Sequence, residues 1–126
     1  MIIGSGFDFL QNDRIRQELS RSAWSKEDGI FSAQEISYCN GRKRRTPFLY
    51  GTCFAAKEAA IKALGIEVRD VSLFQEIELI PDSHNVPTLR FSGRLKERSR
   101  ELGVRRIWVA VTSSSKLSGA IVVLES

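Results

Sequence analysis

The sequence predicts an α+β fold in which a mainly antiparallel sheet packs against a long central helix. Three observations carry this. An alanine-rich stretch of helical periodicity runs from Thr46 to Gly65. Two segments that alternate with period two flank the turn-forming run Pro81-Asp82-Ser83-His84-Asn85. Apolar strand patterns open the chain at Ile2 to Leu10 and close it at Ile107 to Val111 and Ala120 to Leu124.

Taken in order, Ile2 to Leu10 reads as a strand, and Asn12 stands where a helix N-cap would introduce Ile15 and Leu19 at helical spacing. Ser32 and Glu35 have capping-box spacing ahead of Ile36 and Cys39, which predicts a short second helix ended by Gly41. Thr46 and Pro47 suit the N-cap and first position of the long helix, and Gly65 is a usual residue just past a helix end. Glu76 to Leu79 and Thr88 to Phe91 alternate as the two arms of a hairpin. Ser92 would cap a charged helix from Gly93 to Leu102, stopped by Gly103, before the two closing strands.

With 126 residues, no internal repeat and no Pro-rich linker, residues 1–126 are expected to form one domain. A hydrophobic content of 42% excludes a disordered chain. Two cysteines and one histidine cannot build a structural zinc site or a disulfide framework. No apolar run approaches the ~20 residues of a membrane span and no leader pattern opens the chain, which points to the cytoplasm and to no membrane partner. Nineteen Lys and Arg against fifteen Asp and Glu leave a charge of +4, suited to an anionic ligand or an acidic partner. Cys39 and Cys53 read as small buried hydrophobes, His84 as a turn residue, and Trp24 and Trp108 as packing residues.

Two carboxylates stand out. Asp8 sits in a mostly apolar strand, where burial is costly without a partner or a cation. Glu58 lies midway along the alanine-rich helix, so a strand packed there would bring the two together as the protein's share of a magnesium site. By spacing alone, Glu58 and Lys62 also fit an i, i+4 pair on a solvated helix face, and Asp8 fits a cap of the next turn or helix.

Several segments resemble the bacterial holo-acyl-carrier-protein synthases, the small phosphopantetheinyl transferases. The opening Ile2-Ile3-Gly4-Ser5-Gly6-Phe7-Asp8 with Arg14-Ile15 looks like that family's first strand and helix. Phe54-Ala55-Ala56-Lys57-Glu58-Ala59-Ala60-Ile61-Lys62-Ala63-Leu64-Gly65 is similar to its central helix motif. Phe31-Ser32 through Glu35, Tyr38-Cys39, Pro81 through Gly93 and Glu101 through Val104 extend the likeness in order along nearly the whole chain.

The resemblance implies a 4'-phosphopantetheinyl transferase-like fold and transfer of 4'-phosphopantetheine from coenzyme A to a serine of an apo acyl carrier protein, releasing adenosine 3',5'-bisphosphate. It implies magnesium held by Asp8 and Glu58, with Glu58 or a water it orients as base. Lys62 would contact the phosphates, with Lys57 as a second cation. It further implies a homotrimer with sites between subunits and docking of an acidic carrier protein on the first helix, for which Arg14 and Arg21 are the candidates. Arg42-Lys43-Arg44-Arg45 is the densest charge run, and Arg45 is our candidate there for the coenzyme's 3'-phosphate. Taken alone the run would also suit nucleic acid, but no nucleic-acid partner is expected.

The chain departs from the family pattern at four places. Cys53 stands where an arginine is usual, Ile66-Glu67 where a small residue and glycine are, Thr112-Ser113 where Ser-His is common, and Ser5 where the strand is apolar. These departures keep a second reading open, a catalytically silent paralogue that binds a carrier protein without modifying it.

Overall fold

The computed structural model describes residues 1–21 and 29–126. Trp24 lies outside the described residues.

A three-stranded antiparallel sheet is built from β1 (Ile2–Gln11), β4 (Arg106–Ser113) and β5 (Leu117–Glu125) in the order β1-β5-β4. The register aligns Asp8 with Ala120, and Val111 with Ala120 from the other side. β2 (Ile77–Pro81) and β3 (Pro87–Phe91) form a separate hairpin. Its turn is closed by Asp82, whose carboxylate accepts the backbone N–H groups of His84 and Val86, while Asn85 takes a left-handed φ of 62°. Among the described residues there are four α-helices, α1 (Asn12–Ser20), α2 (Ala33–Asn40), α3 (Thr46–Leu64) and α4 (Gly93–Glu101). Among the described residues no helix is long and apolar enough to cross a membrane.

α3 lies across β1 and β5 and carries the core. Ala55, Ala56, Ala59, Ala60 and Ala63 are all buried, and their small side chains let the strands come to the helix backbone. Glycine completes the approach from the strand side. A Cβ at Gly6 would stand 2.8 Å from the Ala59 carbonyl carbon and 3.0 Å from the Ala63 nitrogen, and one at Gly4 would be 3.2 Å from the Ala63 carbonyl carbon. This contact sets Asp8, two residues beyond Gly6, beside the middle of α3.

The predicted α+β architecture, the hairpin and the Ser32–Glu35 capping box are present, with local differences. Gly65 ends α3 at φ 66°, as its lack of a side chain allows. Arg45 rather than Thr46 is the N-cap of α3, and the Thr46 hydroxyl donates instead to the Cys39 carbonyl at 2.9 Å. Asn12 opens α1 without capping it. It is fully buried, its amide donating to the Ser114 carbonyl and accepting from the Ser118 hydroxyl, each at 2.7 Å, and so it rivets the end of β1 to the β4–β5 turn. Ser92 makes no side-chain cap. The Glu76 carboxylate takes that part for α4, accepting from the Leu95 N–H at 3.2 Å and from Arg94 at 3.0 Å.

The sheet's outer face is the larger surprise. Phe7 (59% exposed), Phe9, Trp108 (54%), Leu117 and Ile121 lie on it, uncovered by any element among the described residues. Trp108, expected to pack in the interior, spends its indole N–H on Glu125 at 3.3 Å.

Candidate active site

The two carboxylates singled out by sequence do meet. Asp8 leaves β1 on the face turned toward α3, and Glu58 lies within hydrogen-bonding reach of it. Partial burial, then the charge of Asp8 and the hydrogen bond between them, push the Glu58 carboxyl above its ordinary value, while Lys62 and Arg14 pull it down. Lys62, one helical turn beyond Glu58, does not form the predicted pair with it. Its ammonium donates to the Asp8 carboxylate and to the Phe7 carbonyl, both at 3.1 Å. Two facing carboxylates with one ammonium thus stand at the head of an open cleft of about 260 Å³, lined by Glu58, Ile61, Lys62, Ile66, Val68 and Phe74.

This donor set suits a hard cation. Two carboxylates offer oxygen only, and among the described residues no third acidic, histidine or cysteine side chain joins them. Such a pair leaves most of an octahedral shell to water and phosphate, as magnesium prefers, and fits zinc poorly. A dication between Asp8 and Glu58 would also relieve the repulsion that raises Glu58.

Arg14 is exposed on α1 yet near enough to act on Glu58, which places it at the cleft's edge. Arg21 is the C-cap of α1 and exposed, 3.8 Å from Glu18. Arg45 lies elsewhere, at the mouth of a second pocket lined mainly by apolar groups including Tyr38, Leu49, Leu79 and Val111. Arg42 stacks over the Tyr38 ring at 4.7 Å. His84 is exposed in the hairpin turn.

Lys57 is a correction. Expected as a second cation for the ligand phosphates, it is 0% exposed. Its ammonium donates to the carbonyls of Ile30, Phe74 and Ile77 at 2.9, 2.7 and 2.8 Å, and pairs with the equally buried Glu35 at 2.6 Å. No part of it faces solvent, so it touches no ligand in the cleft. Glu35, predicted only as half of a capping box, does cap Ser32 but spends its other oxygen on the Cys53 thiol at 2.7 Å and the Leu79 N–H at 3.0 Å. Burial first, and the charge of Glu35 second, raise both thiols, Cys39 to about 12 and Cys53 well above its ordinary value, so neither is a nucleophile.

The sequence profile of the 4'-phosphopantetheinyl transferase superfamily matches residues 4–112, a span that includes Asp8, Glu58 and Lys62. The chain belongs to this superfamily. Among its relatives, the holo-[acyl-carrier-protein] synthase of Maridesulfovibrio salexigens is 36% identical over 125 residues, covering 99% of each chain. The crystal structure of the holo-[acyl-carrier-protein] synthase from Neisseria meningitidis superposes with a TM-score of 0.86 at 25% identity over the whole of both chains. That of the Bacillus anthracis enzyme in complex with CoA (3',5'-ADP) does so with a TM-score of 0.80 at 28% identity, covering all of this chain and 98% of the other. The fold expected of a phosphopantetheinyl transferase is the one observed.

Of the four departures from the superfamily pattern, Ile66 lines the cleft with Glu58, and the other departing residues are not among its lining. Cys53 is interior and bound to Glu35. Glu67 is exposed and 3.7 Å from Arg69. Ser5 lies on the uncovered sheet face, and Ser113 lines a shallow pocket with Arg45. Sequence reasoning did not find Phe74, Ile66 and Val68 as cleft walls. The only signal was a short apolar spacing after Gly65, which periodicity does not assign to either element.

Proposed function

We propose that this chain is a holo-acyl-carrier-protein synthase, moving 4'-phosphopantetheine from coenzyme A to a serine hydroxyl of an apo acyl carrier protein. The observation that carries the reading is the meeting of Asp8, Glu58 and Lys62 at the head of one cleft. The serine oxygen forms a bond to the β-phosphorus of coenzyme A, the bridging P–O bond breaks, and adenosine 3',5'-bisphosphate leaves. Asp8 and Glu58 are the residues that would hold magnesium, which when bound neutralises charge on the pyrophosphate.

The chain's own groups do the rest. Glu58, beside Asp8 at the head of the cleft, takes the serine proton or orients the water that does. Lys62 is exposed and reaches Asp8 only through its flexible end, so its ammonium can turn to the phosphates and support the leaving group. The apolar wall of Ile61, Ile66, Val68 and Phe74 suits the uncharged pantetheine arm and keeps water from the reacting phosphorus. Arg14 and Arg21 would receive an acidic face of the carrier protein, and Arg45 the coenzyme's 3'-phosphate.

The uncovered sheet face supports a homotrimer. Five large apolar side chains on one face, Phe7, Phe9, Trp108, Leu117 and Ile121, are more than a monomer ordinarily leaves in water. We place the enzyme in the cytoplasm as a single domain.

Intact-mass analysis of an apo acyl carrier protein incubated with this chain, coenzyme A and magnesium tests the reading. The expected result is a gain of one phosphopantetheine that a chelator abolishes. Binding without any gain, across several carrier proteins, would establish the silent module in its place.

A further inference from the structure

Beneath the cleft lies a charged group that the transfer chemistry does not use. Glu35 and Lys57 are each fully enclosed, and every polar atom of the pair is spoken for. Lys57 binds the carbonyls of Ile30, Phe74 and Ile77. Glu35 receives the Ser32 N–H on one oxygen, and the Cys53 thiol and the Leu79 N–H on the other. One ion pair therefore joins five pieces of chain: the segment at Ile30, the start of α2, α3, the 3-10 turn Val71–Glu76 and β2.

Stability alone does not explain it. A buried ion pair is often no more stabilising than apolar residues of the same volume, because desolvation consumes the attraction between the charges. Charged hydrogen bonds differ from apolar packing in being directional, so they fix where partners stand. What is fixed here is the cleft. Lys57 immediately precedes Glu58, about 100° around the helix, and shares its stripe with Ile61, which lines the cleft floor. The Phe74 carbonyl it holds belongs to the residue forming the opposite wall, whose ring stacks on Phe54 at 5.6 Å.

We propose that the Glu35–Lys57 pair is a positioning device for the transfer reaction, setting how α3 presents Glu58 to Asp8 and how far the Phe74 wall stands from them. This rests on the transferase reading above. Neither residue meets the substrate, so the pair acts through Glu58 and Phe74, and its loss should lower turnover far more than it weakens the grip on coenzyme A.

The test compares wild type with Glu35→Met/Lys57→Met, in which thioether chains replace both charges at similar volume, and with the milder Glu35→Gln. Thermal melting, kcat, KM for coenzyme A, and the affinity for manganese as a spectroscopic stand-in for magnesium are measured for each. The double variant is expected to melt close to wild type, with kcat down about 10- to 100-fold, as displacement of a catalytic group by up to ~1 Å implies. Its KM for coenzyme A should stay within about twofold, and its manganese affinity should fall several-fold. Glu35→Gln should move the same quantities less, and carries the test should the double variant not fold.

A folded variant with wild-type kcat and manganese affinity would overturn the proposal, as would a rise in KM for coenzyme A at unchanged kcat, which would mark a ligand contact. A wild-type chain that transfers nothing but binds manganese, more weakly in the variants, would overturn the transferase reading while upholding the positioning of the carboxylates. Loss of both signals in wild type would overturn the two together.

Discussion

Replacing Gly6 by alanine should damage both the fold and the site, and the structure sets the size of the effect. A Cβ there would lie 2.8 Å from the Ala59 carbonyl carbon, about 0.7 Å inside the ~3.5 Å at which carbon atoms meet comfortably. The Ala59 oxygen stands nearer still. Both partners are backbone, one in a paired strand and one inside a helix, so neither can swing aside, and β1 must lift from α3 by about 1 Å. Overpacking of this kind costs about 1–3 kcal/mol, and with two backbones opposed the upper end applies, a fall of roughly 10 °C in melting temperature for a chain of this size. Because Asp8 rides on the same strand, lifting β1 also draws it from Glu58, and turnover should drop by about two orders of magnitude. Differential scanning calorimetry and the intact-mass transfer assay read the two effects. Since the clash is with backbone, Ala59→Gly should not rescue Gly6→Ala. Rescue, or a Gly6→Ala variant with wild-type melting and turnover, would refute the close approach of β1 to α3.

Other outcomes follow from the same geometry. Asp8→Ala and Glu58→Ala should each abolish magnesium-dependent transfer while leaving the circular dichroism spectrum unchanged, and unchanged turnover in both would remove the metal site. Acidification should weaken manganese binding from a pH above the ordinary Glu value of 4.5, because Glu58 holds its proton more tightly when folded and the cation must displace it. By the same sign, the cation-free protein gains stability from protonated Glu58 that is fully present below the unfolded value and lost as pH rises through the raised one, an effect that Glu58→Gln should flatten in pH-dependent melting curves. If the exposed sheet face holds the proposed homotrimer, Ile121→Asp, paired with Phe7 across β1 and β5 on that face, should leave only monomer in analytical ultracentrifugation. A variant that sediments as wild type would place the subunit contact elsewhere.

Local signals in the chain were good guides where neighbours in sequence alone decide the outcome, and poor ones at Asn12, Thr46 and Ser92, where groups further along the chain took over. The Ser32–Glu35 box, the left-handed Gly65 and the Asp82 turn are all decided within a few residues, and all appear as read. By pattern alone the pairing of Asp8 with Glu58 stood beside a solvated Glu58–Lys62 pair and a capping Asp8, because spacing does not say which strand packs on the helix, and the family resemblance gave it the weight. Lys57 was misread because a lysine beside a glutamate in a helix looks solvated whichever way the helix is turned, and its rotation is set by tertiary contacts with Ile30, Phe74 and Ile77. Glu35 was half read for a related reason: the capping box uses one of its oxygens and says nothing of the other. Trp108 and Phe7 are apolar like their interior neighbours, yet among the described residues helices pack on one side of the three-stranded sheet, and nothing local to a strand says whether its second face is covered.

The strand order has a consequence in time. β1 is joined to the sheet only through β5, so Ile2 waits for Glu125 and Asp8 for Ala120 before the first strand has a partner. During synthesis, residues 46–64 can coil before the strands are complete, but Asp8 has no partner strand until residues 117–125 have been made. Contacts of such sequence separation are slow to close. A chain still being made would therefore hold Glu58 in its helix well before Asp8, its partner in the proposed cation site, has a fixed place.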